Sequence, residues 1–536
     1  MNGEQVVAFI DIGTNSIRIL VVRLNPNQSY TILTRQKQVV RLGEGEFETD
    51  EISSDAMDRS VVVAKTFTEL AKSFGASEFI AVATSATREA ANQGVFLSRL
   101  RHEAGLDVRV ISGKEEARLI YMGVASGLHL GENSGIFIDI GGGSTEIVIG
   151  DQRNYRLLDS LKLGSIRTSN LFFAKDFTGT VSRELYQKMQ KYVRNTIVHT
   201  TKKVRSEKFA MAFGSSGTIL NLAEISQRVE GKKEDAGGAL TLTQRDLRKT
   251  IERLSSVSLE QRKKIPGINP DRADIILGGA AILDTLMEEF RIDRITVTPR
   301  GLQEGLLMDY LSRLNDYPLF GELSVRDQSV LQLGRSFGIN EFHARTVTRL
   351  ALELFDSARE RKLHTFGKRE REMLEYATFL HDIGSFISYT NHHAHSYYII
   401  RNTELLGFNQ QEIEIIANIA RYHRKKHPRK KHPEMKDLEE VSRRVIQVLS
   451  IFLRLAESLD RSHAALVRHA GIEKTDKNEQ NGSDSVRLHI ETQGDCQLEV
   501  WGVEYERKAF EKVFGKRLEI RVTGPVPGQE CTPSGG

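Results

Sequence analysis

The chain of 536 residues has little cysteine and no long apolar run. Its two cysteines, Cys496 and Cys531, lie neither in a CxxC pair nor near a histidine at a metal-ligand spacing. Two cysteines cannot build a disulfide framework, which favours a reducing compartment. No run of about 18 apolar residues is present to span a membrane, and no basic stretch followed by an apolar leader begins the chain. The sequence therefore predicts a soluble, cytoplasmic protein.

Recognised nucleic-acid-binding motifs are also missing, and the net charge is only +4. One segment departs from this balance, because RYHRKKHPRKKH at 421–432 carries seven Lys or Arg and no acid. Such a run is often only a solvated surface, but it can also be a track that concentrates a phosphate-rich polyanion. Nucleic acid is the weaker choice, since Tyr422 alone supplies an interleaved aromatic ring. The cations of this basic run are Arg421, Arg424, Lys425, Lys426, Arg429, Lys430 and Lys431.

The length exceeds what one hydrophobic core supports, so about three or four domains are expected. The first part alternates strand-like and helix-like segments, whereas long amphipathic helices follow from about residue 316. A polar link, EKTDKNEQNGSDS at 473–485, precedes strand-like segments of a small α/β module, and the tail 525–536 is predicted to be disordered. The predicted domains are 1–124, 125–315, 316–470 and 471–536.

An internal repeat is the strongest feature of the first part. FIDIGTNS at 9–16 matches FIDIGGGS at 137–144, and each copy continues into a second apolar strand. The copies lie too far apart for a solenoid and indicate two domains of one ancestry. Such a pair commonly holds a ligand in the cleft between its halves.

The glycine loops of this repeat suit phosphate and a metal ion. Each strand ends in an aspartate, Asp11 or Asp139, before a Gly-rich turn whose backbone N–H groups can bind phosphate oxygens. The aspartate can hold a divalent cation. One loop alone could simply turn the chain, but two matched copies favour the phosphate site. A third loop, GSSGT at 214–218, is ambiguous by itself.

These motifs resemble the exopolyphosphatase and guanosine pentaphosphate phosphohydrolase (Ppx/GppA) family, within the actin, sugar kinase and heat-shock chaperone ATPase superfamily. The resemblance covers most of the chain and implies two actin-like (ribonuclease H-like) α/β domains that cut phosphoanhydride bonds. Besides the repeat, it rests on ATSATREA at 83–90, VISGKEEARLIYMGV at 110–124, LGSIR at 163–167, GSSGTI at 214–219, GGAAIL at 278–283 and PRGLQEGLL at 299–307.

The resemblance also implies roles for single residues. Glu116 matches the catalytic glutamate, which would act as the base that deprotonates water. Glu115 beside it fits the simpler role of an acid at a helix N-terminus. Arg88 matches a phosphate-contacting arginine, whose planar fork can bind two oxygens. The metal ligands would be Asp139 and Glu146, with Asp11 in support, and Mg²⁺ or Mn²⁺ suits such oxygens.

The remaining candidates would bind the phosphates. In the first loop and its strand they are Gly13, Thr14, Asn15, Ser16 and Arg18. The second loop contributes Gly141, Gly142, Gly143, Ser144 and Thr145. Ser85 and Thr87 come from the ATSATREA segment at 83–90, and Gly214, Ser215, Ser216 and Gly217 from the third loop.

The helical region resembles the HD phosphohydrolase superfamily through His343, the pair His381-Asp382, and Asp460. His395 and His423 fall where some of those proteins place extra ligands, so a second divalent metal is expected there. The Ppx/GppA resemblance offers an alternative, in which this all-α domain is a scaffold for substrate binding and for the contacts of a homodimer.

Three functions follow from these features. The leading one is an exopolyphosphatase that removes terminal orthophosphate from inorganic polyphosphate, and the basic run favours it because a long polyanion gains from many exposed cations. Guanosine pentaphosphate 5′-phosphohydrolase activity would use the same loops, metal and Glu116. A sensor that binds polyphosphate or a nucleotide without turnover would need no positioned base.

Overall fold

A computed structural model describes residues 4–174, 176–230, 240–314, 324–403, 405–474 and 485–524. The chain divides into two compact units, residues 1–328 and 329–536. The domain boundary predicted at residue 315, most of the predicted polar link, Cys531 and the tail lie outside the described residues. Within the described ranges, no helix is both long enough and apolar enough to cross a membrane.

The first lobe of the first unit is a five-stranded sheet in the order β3-β2-β1-β4-β5. β1 pairs antiparallel with β2, and β4 runs parallel to β1 on its other side. β1 is buried from Val6 to Ile12, because helices cover both faces of the sheet. The elements are β1 (Gln5–Ile12), β2 (Ser16–Leu24), β3 (Tyr30–Val39), α1 (Glu46–Thr49), α2 (Ser54–Ser73), β4 (Glu78–Ala83), α3 (Ser85–Glu89), α4 (Gln93–Ala104), β5 (Val108–Val110) and α5 (Gly113–Ala125).

The second lobe repeats this arrangement in a six-stranded sheet of order β10-β11-β9-β6-β7-β8. β6, β7 and β8 are antiparallel neighbours, and β9 and β11 continue the sheet in parallel, while β10 is an added antiparallel edge. The predicted duplication of an α/β fold is therefore confirmed. The elements are β6 (Gly135–Ile140), β7 (Thr145–Gly150), β8 (Tyr155–Leu161), α6 (Ser165–Phe172), α7 (Arg183–Thr196), α8 (Val198–Arg205), β9 (Met211–Ser215), α9 (Ser216–Glu230), β10 (Thr241–Thr243), α10 (Gln244–Ser255), α11 (Leu259–Arg262), α12 (Ile276–Phe290), β11 (Arg294–Val297) and α13 (Leu302–Arg313).

Helix α13 follows the second lobe in sequence but packs on α5 and β1 of the first lobe. It was expected in the second domain, and its apolar face instead completes the core of the first. The crossing of α5 and α13 is so close that a Cβ at Gly305 would lie 1.9 Å from the backbone oxygen of Leu119. A Cβ at Gly123 would lie 2.0 Å from the oxygen of Gly301. Glycine is thus required where the two helices meet.

Replacing Gly305 with alanine should destabilise the protein, because the added methyl group meets backbone atoms that cannot rotate away. Overpacking of this kind costs about 1–3 kcal/mol. Thermal unfolding followed by circular dichroism measures the loss. The matched control is Gly94→Ala in α4, where a Cβ meets nothing within 4 Å. Equal melting temperatures for the two variants would contradict the close crossing.

The second unit is a bundle of helices with a three-stranded sheet in the order β12-β13-β14. A separate C-terminal module was expected, but sheet and bundle share one core in which Leu488 and Phe510 join Phe452. The predicted boundary at residue 470 falls inside β12. The elements are α14 (Val325–Ser336), α15 (Glu341–Glu360), α16 (Lys368–Leu380), α17 (His392–Asn402), α18 (Gln410–Arg421), α19 (Pro433–Lys436), α20 (Glu440–Leu459), β12 (Val467–Lys474), β13 (Ser485–Thr492), α21 (Gln497–Phe514) and β14 (Arg517–Thr523).

Candidate active site and histidine cluster

The two glycine loops have the same local geometry and face each other across the first unit. In the first, the N–H of Gly13 donates to the oxygen of Ser16 at 3.1 Å, and in the second Gly141 donates to Ser144 at 2.9 Å. A Cβ at Gly142 would lie 2.9 Å from the Cβ of Thr14 in the opposite loop. The matched sequences therefore form matched turns that close on one another.

Both loops open into a cleft with a volume of about 280 Å³. Its walls combine the loop backbones with carboxylates and cations, as phosphate and a metal ion require. Most of the predicted site residues line it: Asp11, Gly13, Thr14, Asn15, Ser16, Arg18, Ser85, Glu116, Asp139, Gly141, Gly142, Ser144, Ser216 and Gly217.

Other predicted residues are outside the lining and support it. The hydroxyl of Ser215 donates to Asp139 Oδ2 at 2.5 Å, and that of Thr145 donates to the backbone oxygen of Leu163. A Cβ at Gly143 would lie 2.4 Å from Ser85 Oγ, so this glycine lets the ATSATREA segment approach the second loop. Thr87, Arg88, Glu146 and Gly214 are likewise outside the lining.

Glu116 lies in the first turn of α5, which Ser112 caps by accepting from the N–H of Glu115. Arg88 Nη1 donates to Glu116 Oε2 at 2.9 Å and to the backbone oxygen of Ile111 at 3.0 Å. Burial raises the pKa of Glu116 to about 7 against the opposing charge of Arg88. A carboxylate of this pKa can accept a proton from water near neutral pH.

The neighbouring Glu115 has a different environment. Arg118 donates to both of its carboxylate oxygens, at 2.8 and 2.9 Å, and this bonding lowers the pKa of Glu115. Glu115 is absent from the lining of the cleft. Its placement agrees with the simpler role expected for an acid at a helix N-terminus.

Three further carboxylates lie deep in the cleft or just behind its wall. Burial raises the pKa of Asp11 to about 6, and it also raises the pKa values of Asp139 and Glu146. In the strand register, Asp139 of β6 lies opposite Glu146 of β7, whereas Asp11 of β1 lies opposite Arg18 of β2. The duplicated loops have therefore diverged in charge, and the second is the more acidic.

A divalent cation fits this acidic side. Asp11 Oδ1 is buried without a hydrogen-bond partner in the protein, and buried carboxylates with raised pKa values are stabilised by a positive charge. Among the described residues, no three of these carboxylates converge closely enough to chelate one ion. The geometry suits Mg²⁺, which binds through one or two carboxylates and takes its other ligands from water and phosphate.

The cleft also contains cations that the sequence analysis missed. Lys37 and Arg272 lie beside Arg18, and burial lowers the pKa of Lys37 to about 8 and that of Arg272 to about 10. Arg35 and Arg300 line the cleft as well, but Arg35 pairs with Glu304 at 2.7 Å. Lys37 lies opposite Arg18 in the pairing of β2 with β3. A correct prediction of that strand pairing would have placed Lys37 beside the cleft. No local pattern in the sequence indicates Arg272, which is the last residue of a 3-10 turn at Pro270–Arg272, far along the chain.

Comparison with known proteins identifies the family of this chain. The model of the Ppx/GppA phosphatase family matches residues 20–314, which is more than half of the chain. The chain belongs to the Ppx/GppA phosphatase family. The model of domain III of this phosphatase family matches residues 325–507, so the helical unit is part of the family architecture.

Two solved structures with TM-scores above 0.5 share the fold of just over half of this chain. An exopolyphosphatase from Cytophaga hutchinsonii is 26% identical with a TM-score of 0.54, covering 58% of this chain and 99% of that chain. An exopolyphosphatase-like protein is 25% identical with a TM-score of 0.51, covering 57% and 98%. A Ppx/GppA family member from Aquifex aeolicus is 28% identical with a TM-score of 0.48, covering 58% and 99%.

The helical unit of our chain, which matches domain III, brings most of the predicted histidines into one cluster. His343 and His381 each place Nε2 about 3 Å from Glu457 Oε2, at 3.1 and 3.0 Å. Asp382 Oδ1 lies 3.1 Å from His392 Nε2 and 3.7 Å from His423 Nε2. Neither Glu457 nor His392 was predicted from the sequence.

Two predicted metal ligands in this domain have other positions. His395 is absent from the groups of side chains that could hold an ion, and His392, one turn earlier on α17, takes the expected place. Asp460 is fully buried and accepts from His343 Nδ1 at 2.7 Å and from the N–H of Ala465 at 2.8 Å. With both oxygens engaged, Asp460 orients His343 and is not placed to bind the ion itself.

The protonation of the cluster follows from its charges. Burial lowers the pKa of His423 to about 3, so its imidazole is neutral. Burial alone would lower the pKa of His343, but the hydrogen bonds to Asp460 and Glu457 raise it to about 10. His343 Nε2 can carry either a proton or a metal ion, because each would supply positive charge beside the carboxylates of Asp460 and Glu457.

The basic run divides into two groups. Arg421 pairs with Glu434 at 2.5 Å, while Arg424 lies 3.3 Å from His392 Nε2 and Lys425 contacts Asn391. These three side chains therefore contact other residues of the helical unit. Lys426, Arg429, Lys430 and Lys431 are exposed to solvent.

Proposed function

We propose that the protein is an exopolyphosphatase that releases terminal orthophosphate from inorganic polyphosphate with Mg²⁺ or Mn²⁺. The observation that carries this proposal is the buried Glu116, which lines the same cleft as both phosphate-type loops and has a pKa of about 7. Membership of a phosphatase family and the similarity to an exopolyphosphatase support it.

The reaction needs few protein groups. Glu116 takes a proton from a water molecule, whose oxygen then bonds to the terminal phosphorus while the bridging P–O bond breaks. The shortened chain leaves as an anion that needs no proton at neutral pH. Backbone N–H groups of the loops beside Gly13 and Gly142 bind the terminal phosphate and hold it in line.

The cation would be held by Asp11 and Asp139, with Glu146 behind them. When bound, Mg²⁺ neutralises charge on the phosphate oxygens. Arg18, Lys37 and Arg272 line the wall of the cleft, where they would meet the next phosphates of the substrate. This division assigns the acidic second loop to the metal and the basic side of the first loop to the substrate.

The composition of the cleft favours a phosphate chain over a nucleotide. None of the described residues that line it is aromatic, so the cleft offers no ring on which guanine could stack. Guanosine pentaphosphate is therefore the second candidate substrate. A sensor without turnover is disfavoured, because a buried carboxylate of raised pKa costs stability that binding alone does not require.

The exposed part of the basic run should set the KM for long chains. We expect the fourfold variant Lys426→Gln/Arg429→Gln/Lys430→Gln/Lys431→Gln to raise the KM for long-chain polyphosphate roughly tenfold, since these cations concentrate a polyanion near the protein. The kcat and the KM for tripolyphosphate should not change. Orthophosphate release with Mg²⁺ measures both, and wild type is also compared on long-chain polyphosphate, guanosine pentaphosphate and ATP.

The control removes the same charge elsewhere, at the exposed residues Lys65, Lys72, Lys188 and Lys191. An equal rise in KM in the control would mean that net charge alone matters and that the run is not a track. A higher kcat/KM for guanosine pentaphosphate than for polyphosphate in the wild type would overturn the proposed substrate.

A further inference from the structure

Arg167, the last residue of the LGSIR segment, lies in α6 where the two lobes of the first unit meet. Its Nε donates to the backbone oxygen of Gly143 at 2.9 Å, and its Nη2 donates to Glu89 Oε1 at 3.0 Å. The guanidinium carbon lies 3.9 Å from the centroid of the Phe47 ring. Gly143 belongs to the second glycine loop, whereas Glu89 and Phe47 belong to the first lobe. One side chain therefore contacts a phosphate-type loop of one lobe and two elements of the other.

Glu89 also has a second cation, which contributes less than Arg167. Lys162 Nζ lies 2.9 Å from Glu89 Oε2, but the side chain of Lys162 is 76% exposed, against 16% for Arg167 and 14% for Glu89. Ion pairs of exposed side chains are worth little, because water and salt screen them. The planar guanidinium of Arg167 is mostly buried and lies on an aromatic ring, which fixes its direction. Arg167 is therefore the cation that determines where Glu89 lies.

Glu89 is the last residue of α3, the helix that also carries Arg88. Arg88 donates to Glu116 at 2.9 Å, and at the start of the helix Ser85 Oγ lies 2.8 Å from Thr14 Oγ1 of the first glycine loop. A helix of five residues has little stability of its own, so its contacts with other elements decide its position. Contacts from both lobes thus hold the helix that places Arg88 beside Glu116.

We propose that Arg167 is a positioning residue, which holds the end of α3 against the second glycine loop through Glu89 and so keeps Arg88 on Glu116. The inference rests on the proposed function, in which Glu116 is the base and the loops bind the phosphate. A shift of about 1 Å in a catalytic group can cost 10²-fold in rate. Because the Arg167–Glu89 pair joins the two lobes, it forms only when the second loop and Arg88 are both in place.

A different ion pair between the lobes provides a comparison. Arg41 Nη1 lies 2.7 Å from Asp274 Oδ2, and Arg41 Nη2 donates to the backbone oxygen of Asp271 at 3.1 Å. These contacts lie at the 3-10 turn Pro270–Arg272 and not at α3. Arg41→Gln therefore weakens the closure of the lobes without touching Glu89. Lys162→Gln is the second control, because it removes the exposed cation from the same carboxylate.

The kcat for orthophosphate release from tripolyphosphate with Mg²⁺ tests the proposal. Arg167→Gln and Glu89→Gln should each lower kcat roughly 10–100-fold, as expected when a catalytic group is displaced. The double variant should be no slower than the slower single variant, since both changes break one contact. In an Arg88→Ala background, Arg167→Gln should lower kcat by no more than about twofold further, because Arg167 acts through Arg88.

The pH profile provides a measurement that a loss of stability alone would not change. Burial raises the pKa of Glu116 to about 7, and the positive charge of Arg88 opposes this rise. When α3 is released, Arg88 moves away and the pKa of Glu116 rises further. The acid limb of kcat should therefore move to higher pH in Arg167→Gln and Glu89→Gln. It should stay in place in Lys162→Gln and Arg41→Gln.

Hydrogen exchange of residues 83–90 tests the same contact without turnover. The amides of this segment should exchange faster in Arg167→Gln and Glu89→Gln than in wild type or Lys162→Gln, because α3 loses its contact with the second lobe. Wild-type protein that releases no orthophosphate would refute the proposed function, whereas this exchange difference would still support the contact. Circular dichroism melting excludes unfolded variants, and Glu89→Gln tests the contact from the other lobe.

Three results would overturn the proposal. The first is a folded Arg167→Gln variant with the wild-type limb and wild-type exchange of residues 83–90. The second is an equal shift of the limb in Arg41→Gln, which would mean that closure of the lobes in general positions Arg88. The third is a full additional loss of kcat when Arg167→Gln is combined with Arg88→Ala, which would show that Arg167 acts independently of Arg88.

Discussion

Replacing Glu116 with glutamine should lower kcat for orthophosphate release by about 10²–10⁴-fold, the range of general-base catalysis. The amide has nearly the shape of the carboxylate and still accepts from Arg88, so the cleft stays intact while the proton acceptor is lost. The expected change lies in kcat, with the KM for polyphosphate close to that of wild type. Steady-state release of orthophosphate with Mg²⁺ measures both constants.

The pH dependence gives an independent test of the same residue. A base works only when it is ionised, and burial raises the pKa of Glu116 to about 7. The kcat of the wild type should therefore rise with pH below about 7 and level off above it. The residual activity of Glu116→Gln should lack this limb, because no group with that pKa remains to be titrated.

Glu115→Gln is the matched control, since Glu115 lies one residue away, pairs with Arg118 and is absent from the lining of the cleft. It should keep the wild-type kcat and pH profile. Full activity in Glu116→Gln, or an equal loss in both variants, would exclude Glu116 as the base.

The glycine loops could be predicted from sequence because their information is local. A strand, an aspartate and a Gly-rich turn lie within eight residues at 9–16 and again at 137–144, and the turn geometry follows from the residues themselves. Glu116 was assigned through the resemblance of the EEA element to the family, and the structure places it in the first turn of a helix that Ser112 caps. Local pattern and resemblance together gave the core of the site.

The missed residues depend on contacts between distant segments. Arg272 reaches the cleft only because its 3-10 turn packs against the third loop, where a Cβ at Gly217 would lie 2.3 Å from its guanidinium. Helix α13 returns to the first lobe for an equally non-local reason. A periodic apolar pattern shows that a face is buried, but it does not show which partner covers that face.

Which of His392 and His395 faces the cluster depends on the rotation of α17 about its own axis. Both lie in α17, and the sequence offers no reason to prefer one. The structure decides through Gly384, where a Cβ would lie 2.1 Å from the backbone oxygen of His392. This close packing of the helix start on the turn after α16 aims His392 at Asp382 and leaves His395 outside the cluster.

Arg88→Ala should lower kcat by roughly 10²–10³-fold, because Arg88 holds Glu116 and is the proposed phosphate-contacting arginine, whose charged donor would be lost. Arg88 also acts through Glu116, to which it donates at 2.9 Å. Its positive charge opposes the effect of burial on the pKa of Glu116. Without Arg88 that pKa rises further, so the limb of the pH profile should move to higher pH.

Arg88→Lys separates the two contributions of the side chain. Lysine restores the charge and should return the limb of the pH profile towards its wild-type position, but it lacks the planar fork and should leave kcat well below wild type. Arg101→Ala, which removes an exposed arginine paired with Asp107, should change neither quantity. If Arg88→Ala lowered only the melting temperature and left the limb in place, Arg88 would support the fold without tuning the base. A shifted limb in Ala that returns in Lys, with kcat still reduced, is the result that places Arg88 in both roles.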